Sequence, residues 1–222
     1  MSSKDSGPGH GRLLIGVAWA VLLLGLWLWG RRIADGPDGA LGPRTGDVAA
    51  VGRPLGVALP PAHRPVKGAT PERVEIPALG IRAPVVPRGL DDNGAVDPPP
   101  FDNPGEVGWF GAGTRPGAKG AALLVGHVDT RREPAVFYGL SAARPGEKIR
   151  VEGEDGSHTE FTIDDVHVFR RDRFDPKKVY GQREKGRAEL RLITCGGSYD
   201  RTAQTYTANV VVSGYLTAVL EH

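Results

Sequence analysis

From residue 70 to the end of the chain, short apolar runs alternate with turn residues. The runs fall at 73–76, 81–86, 121–125, 148–152, 160–169, 189–194 and 209–216, rich in Val, Ile, Thr and Phe and bounded by Gly, Pro, Asp or Asn. That composition and spacing predict strands. Thr159-Glu160-Phe161-Thr162-Ile163-Asp164 alternates with the two-residue period of a half-buried strand. Helical signal is sparse, limited to a turn at 136–140 and a short segment at 176–181. Many short strands with little helix predict a mainly all-β fold, a closed or nearly closed, antiparallel-rich barrel. Residues 70–222 are enough chain for one core.

The amino-terminal pattern is different. Leu13 to Gly30 is an uninterrupted apolar run without charge, bounded by Arg12 and Arg31. As a helix it spans roughly 27 Å at about 1.5 Å per residue, close to the ~30 Å hydrocarbon thickness of a bilayer. Trp27 and Trp29 suit an interfacial belt. A cleaved signal peptide fits less well, because the small-x-small sequence Ala18-Trp19-Ala20 follows too short an apolar stretch. The expectation is an uncleaved transmembrane signal-anchor at 13–30 behind a cytoplasmic tail at 1–12. Lys4 and Arg12 before the span balance Arg31 and Arg32 after it. We place the amino terminus inside, giving a single-pass cell-membrane protein that contacts lipid through this helix, with its remaining chain extracytoplasmic. Residues 31–69, rich in Pro, Gly and Ala, read as a linker that buries too little apolar area to order itself. Fully extended it reaches on the order of 120 Å; as a coil its mean span is ~35 Å.

Charge narrows the partners. The formal net charge is +2, with acidic and basic residues interspersed. No basic stripe is interleaved with aromatics, which argues against nucleic acid. No CxxC, HxxxH or acidic calcium loop is present, so neither a metal nor another cofactor is expected.

The candidate chemistry rests on one thiol. Cys195 is the only cysteine, so it cannot form an internal disulfide, and it follows the strand-like run from Ala188 to Thr194. A lone cysteine is either a small buried hydrophobe or a reactive group. Gly196 and Gly197 directly after it permit close backbone approach and free main-chain N–H groups to face developing charge. A second apolar run, Gly120 to Val125, ends in Gly126-His127-Val128-Asp129-Thr130. A thiol attacks as the thiolate, so it needs a base or a neighbouring cation. Of the six histidines, His10 precedes the apolar span, His63 lies in the linker, His158 in a turn, His167 inside a strand and His222 at the end. His127 is the one that closes an apolar strand.

Leu192-Ile193-Thr194-Cys195 together with Gly126-His127-Val128-Asp129 resembles the sortases of Gram-positive bacteria. Gly196-Gly197-Ser198-Tyr199-Asp200 and Phe137-Tyr138-Gly139-Leu140 are similar to the actinobacterial class F group. The resemblance covers roughly residues 70–220 and implies an eight-stranded barrel with short helices as the catalytic domain, 70–222. It also implies a cysteine transpeptidase that cleaves an LPXTG-like sorting signal near the carboxyl terminus of a secreted protein. A thioester forms on the enzyme and an amine of a peptidoglycan precursor resolves it, joining the protein to the wall. Cys195 would be the nucleophile and His127 the proton carrier, with an arginine holding the oxyanion and Thr194, Gly196 and Asn209 contacting substrate. Many sortases carry that arginine at the start of the last strand. Here Asn209 precedes Val210-Val211-Val212, and the nearest arginine after the cysteine is Arg201, which is the residue expected to serve. Other readings are an L,D-transpeptidase, a hydrolytic cysteine peptidase, and an anchored β-barrel binding module in which Cys195 is merely buried.

Overall fold

A computed structural model of the chain describes residues 58–92 and 94–220. The predicted tail at 1–12, the span at 13–30 and the linker as far as residue 57 lie outside the described residues. The strands are β1 (Pro71–Ile76), β2 (Ile81–Arg88), β3 (Val107–Phe110), β4 (Gly120–Val125), β5 (Lys148–Gly153), β6 (His158–Arg170), β7 (Ala188–Asp200) and β8 (Thr205–Leu220). They close into a barrel in the order β1-β2-β3-β4-β7-β8-β6-β5, so the expected eight-stranded architecture forms. Most neighbours are antiparallel, while β2 with β3 and β4 with β7 run parallel.

Alternation along each strand decides what fills the barrel. Leu190 and Leu192 on β7, Ala122 and Leu124 on β4, and Val210 and Val212 on β8 join the main core, together with Phe161 and Ile163 from β6. A fully buried Leu, Ile or Phe contributes roughly 1.5–3 kcal/mol relative to its exposed state. The intervening residues face outward. Leu123, Val125, Ile193 and Val211 form a second apolar cluster on the outer face, covered by Val179 of α1 (Pro176–Tyr180), the one α-helix among the described residues. Asp175 caps that helix by accepting from the Lys177 amide at 3.0 Å, as an N-terminal cap should.

Three strands differ from expectation, β8 by running from Thr205 to Leu220 where the pattern predicts 209–216. β3 is four residues long and flanked by Gly and Pro, which hid it. β7 does not stop at the cysteine: the ladder runs past Cys195↔Asn209, shifts register between Gly196 and Tyr199, and resumes at Tyr199↔Tyr206 and Asp200↔Thr205. Burial ends at Thr194, however, and Ser198, Tyr199 and Asp200 are exposed. Cys195 therefore stands where the strand leaves the barrel and continues as a projecting hairpin.

Residues 58–70 carry no helix or strand, yet they are tied to the barrel. The His63 amide donates to the Leu216 carbonyl at 2.8 Å and the Val66 amide to the Gly117 carbonyl at 2.8 Å. The Tyr215 hydroxyl donates to the Pro60 carbonyl at 2.6 Å. Hydrogen bonds to a folded surface thus order a stretch that its own composition would not.

Candidate active site

The parallel pairing of β4 and β7 builds the site. Val125 pairs with Ile193, and the Gly126 amide extends the ladder to the Ile193 carbonyl at 3.1 Å. Two residues beyond that pair on each strand come His127 and Cys195. Neighbouring strands lie ~4.8 Å apart, so the register delivers both residues to one edge of the barrel on the outward-facing set. They line a common cleft of about 880 Å³, with Phe101, Asp129, Tyr199 and Tyr206 among its other walls.

Local packing holds the histidine segment. After Val125 the chain turns back on itself: the Phe137 amide donates to the His127 carbonyl at 3.0 Å and the Ala135 amide to the Val128 carbonyl at 3.1 Å. Phe137 is fully buried and lies against the Gly126 backbone. A Cβ at position 126 would stand 2.7 Å from the Phe137 ring and 2.8 Å from Val136, so only glycine fits there. The His127 side chain is 9 % exposed. Its Nε2 lies 2.7 Å from the Pro99 carbonyl, and its ring stacks on Phe101 with centroids 4.1 Å apart and planes 19° from parallel.

The Cys195 thiol sits in a mixed field. Burial pushes its pKa up, Arg171 draws it down, and Asp129 pushes it up again, leaving it above the ordinary cysteine value. Arg171 follows β6 and donates from Nη1 to the Thr205 hydroxyl, at the lip of the cleft. Asp129 accepts a hydrogen bond from the Tyr206 hydroxyl. Burial and that carboxylate raise the Tyr206 pKa so far that the phenol stays protonated.

Of the residues singled out in the sequence, the structure brings Cys195 and His127 together. Thr194 is buried, and its hydroxyl has no hydrogen-bond partner among the described residues. With Gly196 it lines a small recess that Cys195 and Tyr206 also border. Asn209 pairs with Cys195 across the ladder. Arg201 lies exposed in the turn at the tip of the β7–β8 hairpin. It is not part of the cleft wall, although Gln204 of the same turn is. Sequence reasoning missed Arg171, Tyr206 and Phe101, each delivered by a different loop or strand with no motif around it. Among the described residues, no group of three or more His, Cys, Asp or Glu side chains gathers to hold a metal. The acidic pair Asp164-Asp165 is occupied by Arg183, whose Nη1 lies 3.0 Å from one carboxylate and 3.9 Å from the other.

Comparison with known proteins agrees with this geometry. The family model for the sortase domain matches residues 74–217. The structure of sortase C1 of Streptococcus agalactiae in complex with MTSET shares 20% identity, covering 68% of this chain and 68% of that one, with a TM-score of 0.51. Sortase C1 from Streptococcus suis shares 17% identity over 69% of this chain and 77% of its own, also at 0.51. At such identity the structural likeness speaks for the fold. No curated protein matches the sequence.

Proposed function

The chain belongs to the sortase family, whose members are cysteine transpeptidases, and on that premise we propose that Cys195, His127 and Arg171 carry the reaction. The observation behind this assignment is the parallel β4/β7 register, which leads His127 and Cys195 out of the barrel side by side into one cleft.

The steps follow from the groups present. Burial keeps the resting thiol protonated, so its proton passes to His127 as Sγ attacks the scissile carbonyl carbon. The C–N bond breaks, His127 gives the proton to the departing amine, and a thioester remains on Cys195. An incoming amine attacks the thioester and passes a proton to His127. Sγ leaves as the thiolate and recovers that proton. Arg171 is assigned as the cation in place of Arg201, because its charge reaches the thiol and its guanidinium is anchored at the cleft on Thr205. Arg171 is itself exposed, but a cation held beside a partly buried thiol stabilises both thiolate and oxyanion. Asn209, across the ladder from the nucleophile, and Gly196, beside it, are proposed to contact the acyl part of the substrate, whereas Thr194 is buried and would act through the backbone.

The substrate we propose is an LPXTG-like sorting signal cut between Thr and Gly, with a peptidoglycan-precursor amine as acceptor. The Gly196-Gly197 and Phe137-Tyr138-Gly139-Leu140 sequences support a class F assignment. Leu13 to Gly30 supports a membrane anchor with the barrel outside the cell. Incubating the full chain with a peptide library that includes LPXTG-type sequences tests the proposal. Intact-mass and peptide mapping should find an acyl adduct on Cys195 and none on Cys195→Ala. Turnover by the Ala variant would overturn the nucleophile assignment.

A further inference from the structure

The side chain of His127 is held by a segment that lies far from it in sequence. Residues 97–104 connect β2 to β3 and cross over the imidazole. They are fastened at both ends. Asp97 donates its amide to the Gly89 carbonyl at 3.1 Å, and its carboxylate pairs with Arg88. At the far end the Pro104 carbonyl accepts from the Val136 amide at 2.8 Å, on the segment that follows His127. Between these anchors run Pro98, Pro99 and Pro100. Each ring fixes its own φ, and each proline drives the residue before it into extended backbone. The Pro99 carbonyl is therefore a rigid acceptor.

A carbonyl only accepts, so the 2.7 Å contact requires that Nε2 of His127 carry hydrogen. That leaves Nδ1 to exchange a proton with the thiol and the substrate. Neutral and protonated imidazole both keep Nε2–H, so the contact survives the whole proton cycle. Phe101 adds the second restraint. Its side chain is 66% exposed, so burial in the core does not hold it; its ring contact is the His127 face at 4.1 Å. An aromatic face also favours the protonated ring that forms during turnover.

We propose that the Pro99 carbonyl and the Phe101 ring form a strap that positions His127 for proton transfer, the carbonyl fixing its tautomer and the aromatic face its ring plane. Phe101 is a positioning residue here, and the proposal rests on the reading of His127 as the proton carrier. Because Phe101 is exposed, replacing it should leave the barrel folded.

The test combines turnover with a readout that needs no substrate. In the full chain with 15N-labelled histidine, His127 ring signals are assigned by loss in His127→Gln, and peptide cleavage is measured in parallel. We expect the Nε2–H form in the wild type at a pH where the ring is neutral. Phe101→Leu should move these signals and lower kcat roughly 10- to 100-fold, the scale of a small misplacement of a reacting group, with KM nearly unchanged. Phe101→Tyr should restore both, and Pro100→Gly, which loosens the carbonyl, should reproduce the Leu defect. An Nδ1–H tautomer, unmoved ring signals in Phe101→Leu, or a Tyr variant as poor as Leu would overturn the strap. So would a raised KM at unchanged kcat, which marks a substrate contact. A wild type that cleaves no peptide, yet shows the expected tautomer and its response to Phe101→Leu, would support the strap and count against the assigned activity.

Discussion

The Tyr206 hydroxyl donates a hydrogen bond to the Asp129 carboxylate, joining two sides of the cleft that lie 77 residues apart in sequence. One partner comes from β8 and the other from the segment that carries His127. The bond ties the histidine segment to the projecting part of the hairpin that carries the thiol, where Tyr206 pairs with Tyr199. Hydrogen bonds to charged groups exceed neutral ones in strength, but this one is partly open to water. Tyr206→Phe should therefore lower stability by about 1 kcal/mol, measured by denaturant unfolding. Amide exchange should quicken at 128–135, and unchanged exchange there would show that the segment stands without the latch.

The thiol offers a test with two opposite signs. Burial raises the Cys195 pKa, Arg171 lowers it and Asp129 raises it. Since only the thiolate alkylates, the iodoacetamide rate of the wild type should climb with a midpoint above that of free cysteine. Asp129→Asn removes the negative charge that disfavours thiolate and should shift the midpoint to lower pH. Arg171→Ala removes the positive charge that favours it and should shift the midpoint higher. Shifts of the same sign in both variants would refute this electrostatic picture.

The barrel was legible because period-two patterning and turn residues mark strands wherever one face is buried. β3 escaped because Val107-Gly108-Trp109-Phe110 is too short to show a period, and its partner β2 is parallel and not hairpin-linked. Cys195 and His127 were legible because each ends an apolar run. Their contact partners were not. Pro99 and Phe101 reach His127 through a loop whose path depends on tertiary contacts such as Arg88 with Asp97 and Val136 with Pro104, and Arg171 comes from the turn after β6. The outward course of the β7–β8 hairpin was equally hidden. Glycines at 196 and 197 announce a bend, and Gly197 does adopt a left-handed φ of 75°. The chain nevertheless resumes its ladder beyond them.

Under the cleft, the outer face of β7 holds a buried ion pair. Arg191 and Glu189 meet at 2.6 Å with side chains 1% and 4% exposed. Glu189 also accepts the Arg183 amide at 2.9 Å and the Glu184 amide at 2.7 Å, pinning the loop before β7. Burial pulls the Arg191 pKa down against the pull of Glu189, so the guanidinium depends on its partner. Glu189→Gln leaves that charge without its hydrogen-bonded carboxylate, with only the more distant Asp164 charge remaining, and should cost about 3 kcal/mol, read from the denaturation midpoint at unchanged m-value. A loss below about 0.5 kcal/mol, the scale of an ordinary surface change, would mean that water reaches the pair.

The last expectation separates the arginines. A guanidinium stabilises an oxyanion only from within hydrogen-bonding reach of it, in a site that excludes much of the water. Arg171 and Arg201 are both exposed and neither lines the cleft wall itself; what separates them is contact and charge. Arg171 is anchored on Thr205, which does line the cleft, and its charge reaches the thiol. Arg171→Ala should therefore lower the single-turnover acylation rate by about 100-fold, the low end for loss of an oxyanion donor. Arg171→Lys should recover little, since a point charge lacks the planar fork. Thr205→Val, which releases the guanidinium but keeps its charge, should fall between the two. Arg201→Ala should acylate at nearly the wild-type rate. Collapse of Arg201→Ala beside an unimpaired Arg171→Ala would mean that the hairpin tip folds back over the thiol when substrate binds, returning the oxyanion role to Arg201.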